Sequence, residues 1–158
     1  MVLNHPPPAG EWSLPPPAKL LGLAGLLPQL AAAGVVTVMP REATFAAQAL
    51  GFAYASLILS FLGGLWWGLA ATRRDAPGWI YVAAVAPSLF ALACATPWAV
   101  GWSWPGPSLV ALALAIWASL LIDMRLVKAG LAPGWWMRLR FPLSLVLGGL
   151  TLIVALAA

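Results

Sequence analysis

Residues 53–68 read AYASLILSFLGGLWWG, and the placing of small and bulky side chains within them decides the fold. At 3.6 residues per turn, Ala49, Ala53, Ser56, Ser60, Gly63, Gly64, Trp67 and Ala71 share about a third of a helix circumference, while Leu57, Phe61, Leu62, Leu65 and Leu69 lie elsewhere. A helix that is small on one side and bulky on the other suits lipid. There, small residues let backbones approach closely and serine hydroxyls bond across to a neighbour. The stretch therefore predicts the packing hub of a membrane bundle, with Ala53, Ser56, Ser60, Gly63, Gly64, Trp67 and Gly68 on its helix-packing face.

Composition agrees. Of 158 residues, 63% are hydrophobic and only 8% charged, and the mean hydropathy is +0.94. So little polar surface cannot enclose a water-soluble core. The expected fold is an all-α integral membrane protein, a bundle of about five transmembrane helices near 18–39, 43–71, 78–100, 108–128 and 139–158. They form one domain, 18–158, behind a proline-rich tail, 1–17, whose HPPPAGEWSLPPP favours extended chain. A net charge of +4 is no nucleic-acid signal, because the basic residues sit at helix ends rather than in a patch. The lone His5 has no Cys, Asp or Glu at ligand spacing, so no metal or cofactor is expected. Cys94, the only cysteine, sits in an apolar run and reads as a buried thiol.

Along the chain, Gln29 falls deep in the first segment, where its amide needs a partner, either another helix or a ligand. LLGLAGLL followed by Ala31, Ala32, Ala33 and Gly34 also resembles a secretory signal with a cleavage site. The long, proline-rich lead and the continuing apolar run favour an uncleaved helix. The 30 uncharged residues from Ala43 to Thr72 exceed a bilayer as straight helix, so the segment tilts, bends near Gly63 and Gly64, or protrudes. Pro87, before Ser88, kinks the third segment or breaks it at a binding site. Asp123 is the only carboxylate inside a span; an interfacial ion pair is expected with Arg73, Arg74, Arg125, Arg138 or Arg140. On the last segment Ser144, Gly148, Thr151 and Ala155 repeat the small face, and the second and fifth segments could pack on each other.

Counting basic residues orients the chain. Lys19, Arg73, Arg74, Arg125, Lys128, Arg138 and Arg140 gather on one side, against Arg41 alone on the other. The positive-inside rule then puts the N-terminus in the cytoplasm or matrix and the C-terminus opposite. Trp66, Trp67, Trp79, Tyr81, Trp135 and Trp136 form one expected aromatic belt, and Trp98, Trp102 and Trp104 the other.

LGLAGLLP (21–28), YASLILSFLGGLWWG (54–68), Asp123 and PGWWMRLRFPLS (133–144) resemble the domain of unknown function 3429 family, which includes transmembrane protein 69 of mitochondria. The resemblance covers most of residues 20–155. It implies a small multi-helix membrane protein with no established activity. In the family pattern the position of Trp66 is often His or Arg, so the resemblance implies that this chain has lost the one side chain there suited to chemistry. The composition also invites comparison with the tryptophan-rich sensory proteins, whose aromatic and proline motifs are absent here.

Three functions follow as expectations. The first is a non-catalytic accessory, assembly or scaffolding subunit of an inner-membrane complex, bacterial or mitochondrial, joined through the small-residue faces. The alternative is a binder or carrier of a small apolar ligand, a lipid, quinone or tetrapyrrole, in a pocket walled by Gln29, Tyr54, Pro87 and Ser88. An enzyme is disfavoured, since the sequence holds no nucleophile and base pair, metal-ligand cluster, phosphate-cradling loop or carboxylate pair.

Overall fold

A computed structural model describes residues 13–158 and is all-helical throughout them, with five helical spans long and apolar enough to cross a membrane. The protein is a multi-pass membrane protein. The expectations for His5 and for most of the tail lie outside the described residues, although helix begins at Pro16, inside the stretch expected as tail. Proline at the first helical position costs nothing, since its missing N–H would have had no partner.

The first span is two helices, α1 (Pro16–Ala24) and α2 (Leu27–Val38). The interruption falls where Pro28 has no N–H to continue the ladder, and the Tyr54 hydroxyl donates to the Gly25 carbonyl beside it. A kink or a break was expected at Pro87, in the third segment. Instead α4 (Trp79–Ala99) runs through Pro87 and Pro97 as one helix. Between α2 and α3 (Phe45–Ala71) lies a short 3-10 turn at Arg41–Ala43. The remaining spans are α5 (Gly106–Lys128) and α6 (Trp136–Leu156).

Two glycines set the turns. Gly101 and Gly130 have φ of 75° and 67°, a region in which a side chain would be strained. At each, the glycine N–H and the next N–H bond back to carbonyls of the last turn: Gly130 to Val127 and Leu131 to Leu126, Gly101 to Trp98 and Trp102 to Pro97. This double closure ends a helix and reverses the chain. Thus α6 returns along α5, and α5 along α4.

The helices pack chiefly in sequential pairs, α3 on α4 and α5 on α6. The expected pairing of α3 with α6 through their small faces is the lesser contact. The small face of α3 is also turned. Gly51, Phe52, Ala55, Leu59, Leu62, Gly63, Trp66 and Ala70 are buried, whereas Ala53, Gly64, Trp67 and Gly68 are exposed and Ser56 and Ser60 half-buried. The buried arc lies about one residue step, or 100°, from the one expected. Gly63 is where the two arcs overlap, and it faces α4 so closely that a Cβ would stand 2.1 Å from the Ala84 carbonyl oxygen. α3 continues as helix through the glycine pair.

On α6, Ser144, Gly148 and Thr151 are buried. There the space left by Gly148 is filled by the Trp117 indole of α5, whose N–H reaches toward the Leu145 carbonyl.

Candidate functional site

The polar centre is built on Asp123. Within α5, Ile116, Ser119 and Asp123 follow each other at helical spacing on the buried face. On the returning α6, Trp136, Arg140 and Ser144 do the same. Trp66 reaches in from α3.

Asp123 has no exposed surface. Its Oδ1 accepts the indole N–H groups of Trp66 and Trp136, each at 2.9 Å. Oδ2 accepts Arg140 Nε, also at 2.9 Å. Arg140 Nη2 donates to Ser119 Oγ at 3.2 Å, and that hydroxyl donates to the Ile116 carbonyl at 2.6 Å. A buried charge pair is tolerable only when its remaining polar atoms are also bonded. Here α3, α5 and α6 supply bonds to both carboxylate oxygens and to two of the three guanidinium nitrogens.

Of the five arginines considered as partners, Arg140 alone pairs with Asp123 among the described residues. The pair is enclosed by the bundle: the carboxylate is wholly covered and the Arg140 side chain is 9% exposed. Arg73 pairs with Asp75 at 3.3 Å in the exposed turn after α3, and its hydrogen bond holds the Asp75 carboxyl below the usual carboxylate range. Arg74, Arg125 and Arg138 are exposed. Trp66 and Trp136 correct the expected belt. Both are buried, drawn inward by an acceptor that needs N–H donors. Trp67 and Tyr81 remain at that end as an edge-on pair 5.0 Å apart.

A second polar pair lies nearer the other end of the bundle. Gln29, fully buried, donates its amide N–H to Thr151 Oγ1 at 3.1 Å, and that hydroxyl donates to the Leu147 carbonyl. Gln29 Oε1 has no partner. Gln48, which the sequence reading did not single out, bonds Thr44 Oγ1 and the Ala157 carbonyl. It fastens the start of α3 to the end of α6. The residues expected to wall a ligand pocket are separated: Tyr54 lines a groove with α2, Pro87 another with α5, and Ser88 is exposed.

A third groove, about 370 Å³, opens between α1, α3 and α6. Its walls are leucines of all three helices, and its polar lining comes from Trp136, Arg140 and Ser144. It therefore borders the Asp123 cluster directly.

Compared with known families, residues 14–157 match the one described as protein of unknown function DUF3429. The chain belongs to that family. No curated protein and no solved structure matches it. For this DUF3429 protein, the Asp123 cluster joins three of the stretches through which the resemblance was seen: the α3 motif, Asp123 itself and the segment from Pro133 to Ser144.

Proposed function

We propose that this DUF3429 protein is a non-catalytic accessory or assembly subunit of a larger complex, seated in a bacterial inner membrane or the mitochondrial inner membrane with its basic end in the cytoplasm or matrix. The observation that carries the reading is the outward turn of the small stripe on α3. Open space surrounds the Cα positions of Gly64 and Gly68, one turn apart beside the exposed Trp67, and Ala53 is exposed about three turns away on the same helix. In lipid, such a strip admits the backbone of another helix more closely than leucine would. Meanwhile both oxygens of Asp123 are engaged by donors fixed on two other helices, α3 and α6, which suits a structural role better than proton handling.

The test is affinity purification of the tagged chain from its own membranes in mild detergent, with quantitative proteomics. A stoichiometric companion is expected, and Gly64→Leu with Gly68→Leu should release it without lowering the melting temperature of the isolated chain. Recovery of the chain alone overturns the reading. A second reading, binding of a small apolar molecule, is favoured by the groove beside Arg140.

A further inference from the structure

We infer that the groove between α1, α3 and α6 holds a membrane quinone, seated with one ring carbonyl oxygen against Ser144 and Arg140. This is independent of any partner on the outer face of α3.

Ser144 lies at the groove's floor, 1% exposed, and its Oγ has no hydrogen-bond partner. Buried hydroxyls in native proteins are nearly always bonded, so an unpaired one facing a groove marks a place for an acceptor or donor that arrives from outside. Arg140 precedes it by one helical turn on the same face. Its Nε and Nη2 are used within the bundle, while Nη1 has no partner among the described residues. Arg140 Nη1 can only donate and the Ser144 hydroxyl is free to donate as well, so an oxygen acceptor on the ligand suits both.

The charge of that acceptor follows from Asp123. The guanidinium is already paired, so the cluster is neutral, and adding an anion would bury a net negative charge in lipid. A neutral carbonyl carries no such cost. Depth separates the carbonyl sources. Arg140 and Ser144 lie about 6 and 12 Å along the axis from the start of α6 at Trp136, at 1.5 Å per residue. The ester carbonyls of glycerolipids stay near the headgroups, whereas a quinone head dissolves in the hydrocarbon. The walls fit a ring with an apolar tail: Phe61 and Trp135 contribute aromatic surface, Leu143 and Leu147 aliphatic surface. The groove's volume is at the lower end of small-ligand pockets. It takes the ring head and leaves the tail to run out between helices into lipid. One wall, α1, has no buried residue, so little packing is disturbed when a ligand enters.

The probe is decylubiquinone titrated into the whole chain in phosphatidylcholine nanodiscs, read by quenching of tryptophan emission. Saturable quenching above that from quinone partitioning is expected. Ser144→Ala should weaken it by about fivefold or more, the scale of one lost hydrogen bond, with an unchanged or raised melting temperature because the hydroxyl removed has no partner in the empty groove. Leu143→Trp, which fills the groove, should abolish the saturable component. Quenching that only rises in proportion to quinone, or full affinity in Ser144→Ala, overturns the proposal. So does a melting temperature that falls together with the affinity, since the hydroxyl would then be a packing element.

Discussion

The Asp123 carboxylate and the Arg140 guanidinium meet at 2.9 Å where the carboxylate has no exposure at all. In such a place, the loss of one partner costs more than the loss of both, because a lone buried charge remains. Asp123→Ala should therefore lower unfolding stability by about 3–5 kcal/mol, measured by denaturant titration in detergent. Asp123→Leu combined with Arg140→Met should recover most of that loss. Equal damage in the single and double variants would show that the pair does not act as a unit.

Trp66 and Trp136 share Asp123 Oδ1, so each indole is a donor to charge. Trp66→Phe keeps the ring bulk but not the N–H, and should cost about 1–3 kcal/mol, the range for a bond to a charged group. Trp66→His restores an N–H donor, and should be less damaging than Phe. Thermal unfolding of the two variants side by side checks the order. The position that seemed to have lost its chemistry holds a tryptophan performing a donor's task.

Why the span count was legible and the α3 register was not has a physical reason. Runs without charge bounded by Arg, Pro and Gly define spans by the cost of leaving lipid. Which side of a span faces inward is another matter, since lipid is as apolar as leucine and exerts no drive to bury either face. Leu59, Leu62 and Trp66 could fill the bundle while Gly64 and Gly68 face out, and hydropathy is indifferent to the choice. The cluster itself was half legible. Asp123 within a span demanded a partner, and Arg140 was among the candidates. Trp66 and Trp136 sit at belt height, and only the packing of α3 against the α5–α6 hairpin shows that they turn inward. Gln48 carried no signal beyond being an amide in a span, the same signal that drew attention to Gln29.

Three glycines in similar company should respond differently to one methyl group. At Gly63 the new Cβ would lie 2.1 Å from a backbone oxygen of α4, so the helices must separate. Gly63→Ala should cost about 1–3 kcal/mol or more by overpacking. At Gly148 the nearest atom is Trp117 Nε1, at 2.2 Å, and a half-buried side chain can swing away, so Gly148→Ala should cost less. Around Gly64 nothing lies within 4 Å, and Gly64→Ala should stabilise the helix by about 0.5–1 kcal/mol through the chain entropy glycine carries. Unfolding curves that rank the three otherwise would contradict the packing of α3 on α4.

Orientation can be read with a single thiol, because Cys94 is the only cysteine. In a Cys94→Ala background, Thr72→Cys places a thiol in the turn carrying Arg73 and Arg74, and Ser103→Cys places one in the turn between α4 and α5; both positions are exposed. Basic residues resist translocation, so an impermeant maleimide added to the outer side of intact cells or mitoplasts should label Ser103→Cys and leave Thr72→Cys untouched until the membrane is opened. The reverse pattern would place the Asp123 cluster near the outer surface, and the seven-to-one excess of Lys and Arg at that end would need a cause other than topology.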